Sequence, residues 1–92
     1  MPKYLIERNV PGVHEMSGEQ MYLAANKSCD VLDRLGTDIQ WVKSFVTEDR
    51  LTCVYIARDE EIVREHARIS GFPADAIHEI ATEIGPVTAE PR

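Results

Sequence analysis

The sequence predicts an α+β domain in which two helices cover one face of a four-stranded antiparallel sheet. Two amphipathic segments each begin with a capping residue and end at a glycine, as helices commonly do. Segments rich in β-branched and aromatic residues precede, separate and follow them. The order is therefore β-α-β-β-α-β, the ferredoxin-like arrangement, and right-handed crossovers place the first and third strands at the centre of the sheet.

The first helix follows a predicted strand over residues 3–10. Ser17 and Gln20 have the spacing of a capping box at its start, and Gly36 supplies the left-handed residue that ends it. Between these ends, apolar and small residues recur at helical spacing at Met21, Ala25, Ser28, Leu32 and Leu35. We expect this stripe to pack on the sheet.

The two middle strands are predicted over residues 39–47 and 51–57, the second being continuously apolar and therefore central. Alternation along the strands assigns side chains to faces. The helix-covered face is expected to carry Val42, Val46, Val54 and Ile56. The open face is expected to carry Trp41, Lys43, Phe45, Cys53 and Tyr55.

The second helix begins at Asp59, a good capping residue, and ends at Gly71. Its inward stripe is predicted to consist of Ile62, Val63, His66, Ala67 and Ile69. A last strand is predicted over residues 77–84, and residues 86–92 are predicted to form a frayed tail. Ninety-two residues suit one domain, so we expect residues 1–92 to share a single core.

Composition narrows the class of protein. The net charge is −6, from sixteen acidic and ten basic side chains, and the basic residues form no run, which disfavours nucleic-acid binding. No apolar stretch is long enough to span a membrane, and the start does not resemble a signal peptide. Cys29 and Cys53 lie in apolar segments and are expected to be buried thiols of a cytoplasmic protein.

The predicted open face is too aromatic to remain in water. Trp41, Phe45 and Tyr55 would form an exposed apolar patch, and such patches mark interaction sites. We therefore expect a homodimer in which two sheets pack face to face. The same three side chains would line a cavity that binds a small-molecule ligand, and the ligand sites of such a dimer are expected between sheet and helices or between the two sheets.

Candidate metal ligands are few. The sequence lacks the closely spaced cysteines and histidines of a structural zinc site. His14, His66 and His78 each neighbour a glutamate, and imidazole and carboxylate suit nickel, zinc and copper. His66 is the strongest candidate because it lies on the inward stripe of its helix. The alternative for each histidine is an ordinary hydrogen-bonded or solvated residue.

Several segments, spread over most of the chain, resemble one family. They are MPKYLIER at residues 1–8, IQWV at 39–42, CVYIA at 53–57, REHAR at 64–68 and GFPA at 71–74. The resemblance is to short bacterial proteins of unknown function that include a nickel-responsive, nickel-binding member with a dimeric ferredoxin-like fold. It implies nickel as the first candidate ligand. Together with the inward histidine, it suggests a metal set of His66 with Glu65, Cys53 and Glu7, with Tyr55 nearby.

Two other functions stay open at the level of sequence. The chain could be a dimeric α+β barrel enzyme or a small-molecule binder that uses the aromatic cavity, with His66 or a strand carboxylate as base. It could also be a regulatory or scaffolding dimer without a ligand. We lean against an enzyme because the sequence has no phosphate loop, nucleophile elbow or dinucleotide fingerprint.

Overall fold

The computed structural model describes residues 1–91 and has the predicted α+β architecture. Its elements are β1 (Lys3–Asn9), α1 (Gly18–Leu35), β2 (Ile39–Val46), β3 (Arg50–Ala57), α2 (Glu60–Ser70) and β4 (Ala76–Glu79). The strands form one antiparallel sheet in the order β2-β3-β1-β4, so the first and third strands are central, as predicted.

Both helices begin and end where the sequence predicts. The Ser17 hydroxyl accepts a hydrogen bond from the Gln20 backbone N–H at 3.1 Å, and the Gln20 side chain accepts one from the Ser17 N–H at 2.8 Å. Asp59 accepts a bond from the Ile62 N–H at 3.0 Å. Gly71 follows α2 with a φ of 78°, the left-handed conformation that glycine adopts at little cost. Local signals therefore determine these ends.

The last strand is shorter than predicted. We expected residues 77–84, but β4 ends at Glu79, and the final backbone bond runs from the Ile80 N–H to the Lys3 carbonyl at 2.8 Å. Because β1 starts at Lys3, the following residues have no strand beside them. Of the predicted tail, Pro86–Ala89 forms a short 3-10 turn, and residue 92 lies outside the described residues.

A β-bulge at Val42 interrupts the alternation of side chains along β2. In the register with β3, Trp41 lies opposite Tyr55, whereas Lys43 rather than Val42 takes the next position. The bulge shifts the alternation by one residue. Trp41 and Phe45, which we expected on one face, therefore lie on opposite faces of the sheet.

The predicted faces of β3 were wrong. Cys53 and Tyr55, each 2% exposed, lie under the helices, while Val54 and Ile56 alternate onto the open face. Because β3 is apolar on both sides, its sequence contains no alternation that could assign its faces. Because of the bulge in β2, Trp41 also lies on the helix side and not, as we had expected, on the open face. Val46 lies on the helix side, and Lys43 and Phe45 lie on the open face, in agreement with the prediction.

The core fills the space between the helices and the sheet. Its buried members are Tyr4, Ile6, Ile39, Cys53, Tyr55, Ala57, Ile62 and Val63. Cys29, expected to be buried, is exposed, and both cysteines are free thiols. Within residues 1–91, no helix has the length and apolar character needed to cross a membrane.

Candidate functional site

A cavity of about 370 Å³ lies between α1 and the sheet. Its walls include Met21, Ala24, Ala25, Trp41, Cys53 and Tyr55. The first half of α1 presents small side chains to this region, whereas Leu32 and Leu35 of the second half pack against the core. The small residues leave a gap above β2 and β3 that α1 does not fill.

Arg8 places a buried positive charge at the cavity wall. It follows Tyr4 and Ile6 on the helix side of β1 and is only 1% exposed. One guanidinium nitrogen, Nη1, donates to the Pro73 carbonyl at 2.6 Å, and Nη2 has no hydrogen-bond partner among residues 1–91. The guanidinium carbon lies 6.0 Å from the centre of the Tyr55 ring. Over the same residues, no carboxylate forms an ion pair with Arg8.

His66 lies behind this wall and is fully buried. Its Nε2 is 3.0 Å from the Ser28 hydroxyl, and its Nδ1 has no partner among the described residues. The ring centre is 5.3 Å from that of Tyr55, with the planes tilted by 52°. Burial, and secondly the positive charge of Arg8, lower the pKa of His66 from 6.5 to about 4. The imidazole is therefore neutral at pH 7.

A short hydrogen-bonded chain holds another part of the wall. The Trp41 indole donates to the Ser44 hydroxyl at 2.9 Å, and that hydroxyl donates to the Cys53 sulfur at 3.0 Å. Burial, and secondly the neighbouring Cys53, raise the pKa of Tyr55, so its phenol is neutral at pH 7. The Trp41, Ser44 and Cys53 groups are therefore paired with each other, whereas the charged Arg8 has a donor without a hydrogen-bond partner among residues 1–91.

The predicted aromatic set is divided between the two faces. Trp41 and Tyr55 line the helix-side cavity, whereas Phe45 is 52% exposed on the open face, where the Lys43 ammonium lies 5.5 Å from its ring centre. Two of the three aromatic residues therefore contribute to a cavity inside one chain. The open face is less aromatic than we expected.

The predicted metal set is not gathered into one site. His66 and Cys53 lie on the helix side of the sheet, while Glu7 lies on the open face. Glu65 is on the outer surface of α2. Residues 1–91 contain no cluster of three or more histidine, cysteine, aspartate or glutamate side chains able to hold a metal ion. The positive charge of Arg8 near His66 also disfavours a cation there.

Two side chains with metal-compatible donor atoms lie close together on the open face. His78 of β4 places its Nε2 3.4 Å from a carboxylate oxygen of Glu7 on β1. Arg50 of β3 lies 3.3 Å from the other oxygen of the same carboxylate. This pair supplies one imidazole and one carboxylate, with a competing guanidinium beside them.

Sequence reasoning missed Arg8 and Ser44 as wall residues. The signal for Arg8 was present, since Tyr4, Ile6 and Arg8 occupy alternate positions of one central strand and so share a face. No local signal placed Ser44 beside Cys53, because the bulge at Val42 decides that contact.

Comparisons with known proteins identify the family. The family described as "Nickel responsive protein SCO4226-like" matches residues 4–80. The crystal structure of SCO4226 from Streptomyces coelicolor A3(2) has the same fold, with a TM-score of 0.74, 17% sequence identity, and coverage of 89% of this chain and 99% of that chain. No curated protein gives a significant match. Because the family match spans most of the sequence, the chain belongs to the SCO4226-like family of nickel responsive proteins.

Proposed function

We propose that this chain is a small-ligand-binding protein that holds an apolar molecule between α1 and the sheet. The carrying observation is the largely apolar cavity of about 370 Å³, a volume within the range of small-molecule sites. Met21, Trp41 and Phe72 would contact the body of the ligand. This is the small-molecule function that the sequence left open. The cavity, however, lies on the helix side of the sheet and not on the open face.

The chemistry of the wall supports a ligand site over a packing defect. Protein interiors are normally packed to the density of organic crystals. Here the small side chains Ala24, Ala25 and Ser28 keep the space open, and the polar wall groups Ser44 and Cys53 are bonded to each other. A rigid apolar wall with few polar groups is typical of sites that bind small molecules.

Filling the cavity should abolish binding of an apolar probe. We expect N-phenyl-1-naphthylamine, a neutral fluorescent probe, to bind the parent protein, and Ala25→Phe to weaken binding by about tenfold or more. Leu23→Phe is the matched control, because Leu23 is on the exposed side of the same helix. Fluorescence titration measures both affinities, and thermal unfolding confirms that each variant is folded.

Two outcomes would contradict the cavity proposal. Failure of the parent protein to bind the probe would contradict the proposal that the cavity binds apolar molecules. Equal weakening by Ala25→Phe and Leu23→Phe would show that the probe binds elsewhere on the surface.

A second proposal rests on the family and concerns nickel. We propose that His78 and Glu7 contribute to a nickel site on the open face, since imidazole and carboxylate suit that ion. Two donors do not complete a site, and residues 1–91 of one chain therefore do not fit nickel by themselves. The proposal requires a partner copy to supply the remaining donors.

The partner would be a second copy of this chain, packed sheet to sheet. Leu5, Ile56 and the exposed ring of Phe45 give the open face an apolar component that such packing would bury. The free thiols of Cys29 and Cys53 support a reducing cytoplasm as the location.

Calorimetric titration of tag-free protein with nickel tests this second proposal. We expect binding that His78→Ala abolishes and that His66→Ala retains, together with nickel-dependent dimerisation in sedimentation experiments. Loss of binding in His66→Ala alone would instead favour the ligand set suggested by the sequence. Absence of binding to the parent protein would contradict both sets.

A further inference from the structure

Resting on the proposed small-molecule function, we propose that the cavity ligand carries a carboxylate and that Arg8 binds it. The ligand class is an apolar monocarboxylic acid, with its chain against the α1 side of the cavity and its head group at the guanidinium of Arg8. The inference follows from the burial and the hydrogen bonding of Arg8, the composition of the wall and the volume of the cavity.

The charge of Arg8 lacks a counterion among residues 1–91. A guanidinium that is 1% exposed has lost most of its hydration, which is costly unless an anion and hydrogen bonds replace the water. The Pro73 carbonyl satisfies one nitrogen, Nη1, while Nη2 has no partner, and no acid forms an ion pair with Arg8 within residues 1–91. Arg8 lines the cavity, so an anionic group of a bound ligand would compensate its charge.

The surroundings of Arg8 favour a carboxylate among the possible head groups. Arginine presents planar N–H donors that match the geometry of a carboxylate, and such charge-assisted bonds are stronger than neutral ones. The adjoining Tyr55 phenol supplies no compensating negative charge, because burial raises its pKa and keeps it neutral. A cationic head group would be repelled by Arg8, and a neutral one would leave its charge uncompensated.

The rest of the cavity requires an apolar body. Apart from Arg8, the wall that faces the ligand is formed mainly by Met16, Met21, Val46, Leu51 and Phe72. Methionine side chains adapt to flexible apolar chains. A small polar acid such as acetate would leave this surface unfilled, whereas a medium-length alkyl chain would cover it.

Competition between an acid and its alcohol tests the head group directly. In the parent protein, we expect decanoate to displace N-phenyl-1-naphthylamine with at least about tenfold higher affinity than decanol. The two competitors share the same alkyl chain and differ in the charged group. This comparison needs no variant, so it does not depend on the folding of an altered protein.

Substitution of Arg8 then tests the residue. Arg8→Met keeps a long side chain without the charge, and we expect it to remove the preference for decanoate while decanol still binds. Arg50→Met, which removes an exposed arginine on the neighbouring strand, should leave the preference intact. A preference that survives Arg8→Met, or a loss of both competitors in a folded Arg8→Met protein, would overturn the assignment to Arg8.

The failures of the two proposals are distinguishable. Equal affinity for decanoate and decanol in the parent protein would overturn the carboxylate inference and leave the apolar cavity function standing. If neither competitor nor the neutral probe binds the parent protein, the proposed function fails and the inference fails with it.

Discussion

Lowering the pH from 6.5 to about 4 should reduce the free energy of unfolding by about 3 kcal/mol through His66 alone. In the folded chain, burial beside Arg8 lowers the pKa of His66 to about 4, whereas the unfolded histidine takes up its proton near pH 6.5. Between these values the unfolded state binds more protons, so stability falls as the pH falls. Above pH 6.5 neither state is protonated, and His66 contributes no pH dependence.

Urea unfolding at a series of pH values measures this effect. His66→Gln keeps a polar group near Ser28 but cannot titrate, so its stability should change little between pH 6.5 and about 4.5. His78→Gln is the matched control, since it makes the same substitution at an exposed histidine.

Three carboxyl groups add a smaller pH dependence at the acid end of this range. Asp59, Glu65 and Glu83 have pKa values lowered by hydrogen bonds, from the Ile62 N–H for Asp59, Arg68 for Glu65 and Lys3 for Glu83. Their contribution is lost as the pH falls below the ordinary pKa values of these groups, 3.8 for Asp59 and 4.5 for the two glutamates. It is small, because Glu83 is exposed and Asp59 and Glu65 are only partly buried. Equal slopes in the parent protein and His66→Gln would contradict the buried neutral imidazole.

Replacing Ile6 by alanine should cost much more stability than replacing its neighbour Leu5. Ile6 is fully buried under the helices on a central strand, and truncation of such a residue typically costs about 2–5 kcal/mol. Leu5 points to the open face and is only partly buried, so we expect Leu5→Ala to cost about 1 kcal/mol in a monomer. Urea unfolding of the two variants compares the two faces of one strand.

Protein concentration extends the same measurement to the proposed dimer. If two copies pack through their open faces when nickel is bound, the stability of the parent protein with nickel present will rise with protein concentration, and Leu5→Ala will weaken that rise. Ile6→Ala would lower stability at every concentration but would leave the dependence on concentration in place. Equal costs for Leu5→Ala and Ile6→Ala in dilute protein would contradict the assignment of the faces of β1.

Part of the candidate site was predictable from the sequence. The helical spacing of α2 placed His66 inward, and the structure buries it completely. Its role could not be predicted, because the contacts with Ser28, Tyr55 and Arg8 come from three other elements. Those contacts make the site around His66 unfavourable for a cation, although the sequence made His66 the first candidate for a metal ligand.

The sequence by itself determined the order of the elements, the ends of both helices and the central strands. These features depend on signals within a few residues, such as the capping box at Ser17 and Gln20 and the glycine at position 71, combined with the general handedness of crossovers. Such signals act locally and do not depend on which distant residues meet.

Only the tertiary structure decided the faces of β2 and β3, the position of the cavity and the isolation of Arg8. A bulge at Val42 and a strand that is apolar on both sides remove the alternation from which faces are predicted. The cavity exists because small side chains of α1 lie above the sheet, which is a relation between distant segments. The lack of a counterion for Arg8 within the described part of the chain is likewise a property of the packed structure, since it depends on where the acidic side chains lie.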